Sequence, residues 1–349
     1  MRLLFVYNMG EAVGSAQTIL NYSRTAKALG HEVAVYRRPS GSEVVSSLDI
    51  ESADVVIFVL EWWLDLKYAG HLNLVRLMST VPRERRVVID NDGMYSDVIR
   101  VGGDYNHADA AASRARMELY DSISDTILQP ALHPLRPNAR SFLFHGYNPA
   151  WEVPLDFRGK EYGMFYVGNN WFRWRAMKRV LQGIQRVRAE VGAIGLVGYA
   201  WDPPAWWLEA GLRQRACYTD PDYLAKLAVR VMPAVPVDRV IDTMSKGVFN
   251  PVLLRPLFNR LRIVNPRLFE TPAANTIPLF GLDDEYVRQL YGDEAAELVL
   301  PREDPGRRIE EVMRRPERFA RIVKGIRRHL AERHSYEMRM RELIELVKS

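Results

Sequence analysis

Cysteine is almost missing from this chain: Cys217 is the single one in 349 residues. That excludes an internal disulfide and any cysteine-built metal cluster. Long apolar runs are missing too. The longest, Val55 to Leu60, falls far short of the ~20 residues a membrane-spanning helix needs, and its length suits a buried strand. The opening Met1-Arg2-Leu3-Leu4-Phe5-Val6-Tyr7-Asn8 is too short for a signal-peptide core and runs straight into folded-domain pattern. These absences predict a cytoplasmic protein, or at most one peripheral to a membrane. There is no low-complexity tract, no short-period repeat and no nucleic-acid-binding signature. Histidine is scarce, with seven in the chain, which leaves little for chemistry that shuttles protons through several imidazoles.

What is present is ordinary for a globular protein: 48% hydrophobic and 26% charged residues. The length is enough for two domains. The net charge is +5, and its placement says more than its size. Arginine gathers at Arg173/Arg175, between Arg255 and Arg267, and from Arg302 to Arg341. Such a balance favours anionic partners, nucleotide phosphates or an anionic lipid surface. The last cluster reads equally as a solvated helical face, and nucleic acid is not expected as a partner.

Along the chain, strands alternate with helices. Apolar strand runs stand at Leu3–Tyr7, Glu32–Tyr36, Val55–Leu60, Arg86–Ile89, Thr126–Leu128 and Ser141–Phe144, with a helix pattern from Ala16 to Leu29. His145-Gly146-Tyr147-Asn148-Pro149 then reads as a linker. The pattern restarts with strands at Tyr162–Val167, Ile194–Val197 and Ile277–Phe280, and helices at Arg173–Glu190, Asp222–Ala228 and Pro251–Asn259. An apolar segment runs from Val229 to Val235, and the last forty residues are helical and basic. This alternation predicts an α/β chain of two Rossmann-like domains, residues 1–150 and 151–330, facing a cleft. Residues 331–349 form a closing helix.

Late in the chain comes Arg267-Leu-Phe-Glu-Thr-Pro-Ala-Ala-Asn-Thr-Ile-Pro278, then Leu279-Phe280 and the acidic turn Asp283-Asp284-Glu285. Arg333-His334-Ser335-Tyr336-Glu337-Met338-Arg339 follows. The series resembles the C-terminal half of GT-B glycosyltransferases, in particular the CgeB-like (spore-protein-like) transferases. The likeness is clearest over residues 160–349. Gly146, Pro149, Trp151 and Pro154 also fit the interdomain linker of that fold.

The resemblance implies a donor site for a nucleotide-diphosphate sugar. Glu270 is the position that contacts the ribose, and Arg267 the basic residue facing the diphosphate. Ala274 and its neighbours Ala273 and Asn275 are small or flexible, which suits backbone amides approaching the donor from a helix N-terminus. Lys246 and Arg255 are further cationic candidates, to be weighed against plain surface charge. Gly168-Asn169-Asn170, with Arg173 and Arg175, matches the mouth of the second domain's first strand; Trp171 and Trp174 there either stack on a ligand or pack the helix onto the sheet. Gly198 and Tyr199 match the loop near the base. The stretch Trp201-Asp202-Pro203-Pro204-Ala205-Trp206-Trp207 departs from the family pattern and reads as a lid or a hydrophobic surface.

In the first half, the loop Gly10 to Ser15 is neither G-x-G-x-x-G nor a P-loop; Gly14 and Ser15 are its cleft candidates on the acceptor side. Asp90-Asn91-Asp92 is a D-x-D after an apolar strand, the pattern by which metal-dependent GT-A transferases hold a cation, and equally a common turn. The two-half organisation favours GT-B, where no metal cofactor is expected. Asp90 and Asp92 then line the acceptor side, and His145 either touches a sugar hydroxyl or is structural. The family expectation is a retaining, metal-independent glycosyltransferase acting on a small-molecule or glycan acceptor. The alternatives are a nucleotide-sugar epimerase and a non-catalytic carbohydrate- or nucleotide-binding protein of the same fold. His334-Ser335-Tyr336 and Arg339 are read as a tether of the last helix to the first domain.

Overall fold

Runs such as Val55–Leu60 and Tyr162–Val167 are apolar on both faces, so both faces must be covered; a parallel sheet flanked by helices does this. The computed structural model describes residues 1–7, 14–36, 45–61, 74–202 and 215–348. Its first sheet is built from β1 (Arg2–Val6), β2 (Glu32–Tyr36), β3 (Val45–Ser47), β4 (Val55–Leu60) and β5 (Arg86–Asp90). After an antiparallel hairpin of β6 (Arg100–Val101) and β7 (Asp104–Tyr105), β8 (Thr126–Gln129) and β9 (Ala139–Ser141) complete it. The order is β3-β2-β1-β4-β5-β8-β9, and all pairings are parallel, with Leu3 level with Val33 on one side and Val55 on the other. The second sheet contains β10 (Tyr162–Val167), β11 (Ile194–Val197), β12 (Val229–Met232), β13 (Gly247–Val252) and β14 (Ile277–Phe280), in the parallel order β12-β11-β10-β13-β14. Each order reverses beside its first strand. That leaves a crevice at the carboxyl ends of β1 and β4, and another at those of β10 and β13. The architecture is GT-B.

The helix Gly14–Ala28 and the last helix, Tyr336–Lys348, share one face of the first sheet, where Ile19, Tyr22, Met340 and Leu343 meet Phe5 and Ile57. The helix Pro316–His334 covers the second sheet and stops at Ser335, whose backbone is extended (φ −62°, ψ 156°). Tyr147 fastens that break: its amide donates to the His334 carbonyl at 2.8 Å and its carbonyl accepts from the Tyr336 amide at 3.1 Å. A Cβ on Gly146 would sit 3.2 Å from the Tyr336 nitrogen, so the linker needs its glycine for this close approach. The last helix therefore crosses back to the first sheet, and Tyr336 packs edge-on against Tyr22 and Trp151.

Several elements differ from the sequence reading. The helix expected over Pro251–Asn259 is instead the end of β13 followed by a helix at Pro256–Leu261; Pro251 sits inside the strand, level with Leu279. The expected strand Ser141–Phe144 pairs earlier, as Ala139–Ser141. A helix at Ala110–Ile123 was not anticipated, although Asp109 caps it by accepting from the Ala112 amide at 2.8 Å. The basic run of the last helices is neutralised in part within its own helices, through Arg307–Glu311, Arg314–Glu310, Arg339–Glu342 and Arg341–Glu337. This is how a solvated helical face is built.

Candidate active site

A cleft of about 380 Å³ opens at the carboxyl ends of β10, β11 and β13. Its walls bring together seven of the anticipated residues: Gly14, Gly168, Asn169, Arg173, Gly198, Arg267 and Glu270. Gly14 reaches it from the first half of the chain. Both strand-end glycines are there for space. A Cβ on Gly198, whose φ is +143°, would lie 2.3 Å from the Gly168 carbonyl oxygen, and one on Gly168 would lie 2.8 Å from the Tyr166 hydroxyl. The two loops thus touch backbone to backbone and leave the cleft floor open.

Arg173 closes one wall. Its Nε donates to the Leu253 carbonyl at 3.1 Å and its Nη1 to the Asn169 carbonyl at 3.0 Å. Burial, with Arg255 and Arg267 nearby, pushes its pKa down, yet an arginine stays charged. Opposite, Arg267 Nη1 lies 3.0 Å from Glu270 Oε2, one turn apart on the helix Arg267–Ala273. That helix is clamped from behind by buried Arg327, whose Nε donates to Pro272 O at 2.7 Å and whose Nη2 donates to the carbonyls of Ala273 at 3.0 Å and Ala274 at 2.9 Å. Two guanidiniums and a carboxylate held around an open volume form an anion site with a hydrogen-bond acceptor at its edge.

Other expected residues lie elsewhere. Ala274 ends the helix rather than starting it: its amide donates to Glu270 O at 3.2 Å and its carbonyl is taken by Arg327, so no free amide approaches a donor there. Lys246 precedes β13, at the amino end of the second sheet, and pairs with Glu161 at 3.3 Å. Its carbonyl accepts from the Tyr162 amide, which opens β10. The misread strand hid this, because a strand fixes which end of the sheet its first residue occupies. Tyr199 gives its amide to Asn169 Oδ1 at 2.9 Å while its ring is exposed, and it does not line the cleft. Arg255 is locked into a buried pair with Asp104 of the β6–β7 hairpin. Asn170 and Trp174 are buried, Asn170 donating to the Ala200 and Tyr218 carbonyls. Residues 10–13 of the first loop and 203–207 of the Trp-Pro stretch lie outside the described residues.

In the first half, Asp90 is fully buried and its carboxylate accepts from the amides of Met94 and Tyr95, each at 2.8 Å, from Gln129 Nε2 at 2.9 Å and from the Tyr120 hydroxyl at 3.0 Å. It is a structural post under the turn, with no lone pair left for a cation shared with Asp92, which undoes both the acceptor-side role and the D-x-D reading. Asp92 is half-buried and does not line the cleft. His145 is buried too. Its Nδ1 meets Thr18 Oγ1 at 2.7 Å, and burial drives its pKa down to about 3. His145 is tied to Thr18 inside the first half and does not line the cleft. Ser15 neighbours Gly14 but turns inward, to Glu61 and Asn91.

Sequence reasoning missed Tyr166, Asn265, Pro266 and the apolar wall of Val235, Val237 and Val240. Of these, Pro266 adjoined the quoted Arg267 motif, while Tyr166 and Val235 lay in runs read only as strand and apolar segment. The approach of the two halves is tight here: a Cβ on Gly14 would lie 2.6 Å from Pro266 Cγ. Gly14→Ala is expected to cost about 1–3 kcal/mol through overpacking and to weaken nucleotide binding, both readable in one thermal-melt and titration series. Unchanged melting would show that the halves do not meet at this point.

A cationic cleft at the carboxyl ends of parallel strands lies where such sheets bind their ligands. The comparisons with known proteins agree. Residues 175–345 match the family model described as glycosyl transferase-like. No curated protein matches the chain. Among solved structures, a T4 phage BGT in complex with its UDP-glucose substrate superposes with a TM-score of 0.64 at 14% identity, covering 100% of both chains. An alpha-glucosyltransferase in complex with UDP and a 13-mer DNA gives 0.65 at 12% identity, over 100% of this chain and 99% of that one. The T4 phage enzyme in complex with UDP and Mn2+ gives 0.56 at 12% identity over 100% of both. At such identities the likeness is one of fold.

Proposed function

We propose that this protein is a glycosyltransferase that takes a sugar from a nucleoside-diphosphate donor, a UDP-sugar first among candidates, in the manner of the CgeB-like transferases. Residues 1–150 form the acceptor side, 151–330 the donor side, and 331–349 the return to the first domain. The observation that carries the reading is the convergence of Arg173, Arg267 and Glu270 on one cleft beside Gly168, Asn169 and Gly198. Glu270 accepts from the ribose hydroxyls. Arg173 and Arg267 face the diphosphate, whose charge relieves the repulsion between them. The apolar wall at Val235, Val237 and Val240 takes the base. Asp92 keeps a place at the edge of the acceptor side.

Transfer proceeds with retention and without a metal. The attacking hydroxyl enters on the face from which the diphosphate leaves, and the leaving phosphate takes its proton. The protein's contribution is electrostatic stabilisation of the departing phosphate and orientation of the acceptor. The protein works in the cytoplasm. Because structures of this fold hold DNA, nucleic acid joins sugars and small molecules as an acceptor to be tried, against the expectation from sequence.

The test is a thermal-shift panel of UDP, GDP, dTDP, ADP and CDP, with Mg²⁺, with Mn²⁺ and with EDTA. A ligand at 100 times its Kd adds about 2.7 kcal/mol to stability. One nucleotide is expected to raise the melting temperature by several degrees with or without chelator. A shift that EDTA abolishes would replace the metal-free mechanism, and no shift with any nucleotide would remove the transferase reading in favour of a non-catalytic relative.

A further inference from the structure

The crevice of the first sheet holds a polar cluster that the donor cleft does not use. Glu61 immediately follows β4, Tyr7 follows β1, Asn91 follows β5, and Ser15 opens the helix after β1. All four side chains meet at the reversal point of the strand order, where parallel sheets place their ligands. Glu61, Ser15 and Asn91 are buried. Ser15 Oγ and Asn91 Nδ2 both donate to Glu61 Oε1, the latter at 2.8 Å, and the Tyr7 hydroxyl approaches Glu61 Oε2 at 3.4 Å. Asn91 Nδ2 also lies 3.0 Å from Ser15 Oγ. The carboxylate thereby fixes the amide's orientation, since a flipped Asn91 would set oxygen against oxygen. The consequence is that Asn91 Oδ1 is buried and has no hydrogen-bond partner among the described residues. A buried acceptor without a donor costs free energy.

We propose that Glu61, Ser15 and Asn91 form the hydroxyl-binding part of the acceptor subsite, and that the acceptor is a neutral, hydroxyl-rich molecule, a sugar or polyol. The inference rests on the transferase reading above and names its second substrate. What the cluster lacks is a donor, at Asn91 Oδ1, and what it presents beside that atom is a carboxylate. A hydroxyl group supplies the donor to either oxygen. A carboxylate supplies none at neutral pH, and a phosphate brings like charge to Glu61. The position fits, because Gly14 adjoins Ser15 and lines the donor cleft opposite Pro266. A hydroxyl held at this cluster therefore lies on the first-half side of the bound donor.

Saturation-transfer NMR tests this without needing turnover. The probes are methyl glucoside, methyl galactoside, methyl mannoside, sucrose, glucosamine and inorganic phosphate, each added to the wild type loaded with the best nucleotide of the thermal-shift panel. At least one neutral sugar is expected to bind. Its affinity should fall about 10- to 100-fold in Glu61→Gln and in Asn91→Ala, as for a lost hydrogen bond to a charged or buried group. The nucleotide-induced thermal shift should be unchanged in both variants, which separates a subsite role from general loss of fold. Asn91→Ala keeps the test open if Glu61→Gln does not fold. Absence of any neutral-sugar signal, equal binding in a folded variant, or binding confined to glucosamine or phosphate would overturn the proposal. Failure of the donor reading would show separately, as a wild type that no nucleotide stabilises.

Discussion

Replacing Glu270 by alanine is expected to lower nucleotide affinity about 10²- to 10⁴-fold while the protein stays folded. Two ribose hydroxyls donating to one carboxylate make two hydrogen bonds to a charged group, each worth about 1.5–3 kcal/mol, and about 1.4 kcal/mol is one power of ten in affinity. The carboxylate is well placed to deliver this, being 9% exposed and set on the cleft wall 3.0 Å from Arg267. Its removal should spare the fold. The backbone of its helix is held by Arg327 at the carbonyl end and by Thr271 Oγ1 donating to Arg267 O at 2.9 Å, and neither contact uses the Glu270 side chain. Arg267, left without its partner, is partly exposed as a side chain, although the Nη1 that faces Glu270 is buried. Isothermal titration of the best nucleotide into wild type and variant decides the matter. An unchanged Kd would remove Glu270 from the ribose, and a collapse in melting temperature without nucleotide would make it a structural residue.

Asp104→Ala is expected to be the most destabilising single change at the contact between the two halves. Asp104 stands on β7, its side chain 0% exposed, and meets Arg255, 10% exposed, just ahead of the helix Pro256–Leu261. Arg255 Nε donates to Asp104 Oδ2 at 2.9 Å, and the Leu257 amide donates to the same oxygen at 3.0 Å. Removing one partner of a buried pair strands the other charge, at a cost of about 3–5 kcal/mol, a large part of the 5–15 kcal/mol that typically holds a protein folded. The melting temperature should fall by about 5–15 °C. Replacing both partners, as Asp104→Leu with Arg255→Met, should recover much of the loss, because no charge is then left buried. A fall under about 2 °C in the single variant would mean that the pair is not buried in solution.

Much of the fold was legible because parallel strands that are apolar on both faces announce themselves. Tyr162–Val167, Ile194–Val197 and Ile277–Phe280 stand where their residues predicted. β13 did not, since Asn250-Pro251 in its middle reads locally as a turn or helix start and only its neighbours β10 and β14 hold it extended. Without that strand, the sequence did not show that Lys246 stands at the amino end of the sheet. Glu61 was overlooked although it ends the longest apolar run, because a lone carboxylate after a strand carries no motif.

The amino-acid sequence determined the alternation of elements, the two halves, the linker at Gly146 and the chemical types gathered around Arg267 and Glu270. These are properties of periodicity and local residue choice, which the chain expresses without long-range contacts. The tertiary structure decided which charges stay available. Asp90 is spent on two amides, a glutamine and a tyrosine, His145 is dried out beside Thr18, and Arg255 is committed to Asp104 across 151 residues of chain. Arg173 is instead held on carbonyls and keeps its charge at the cleft. Whether a polar side chain is structural or open to a ligand depends on which distant groups fill its hydrogen-bonding capacity and on how much water it loses. Folding alone brings those groups together.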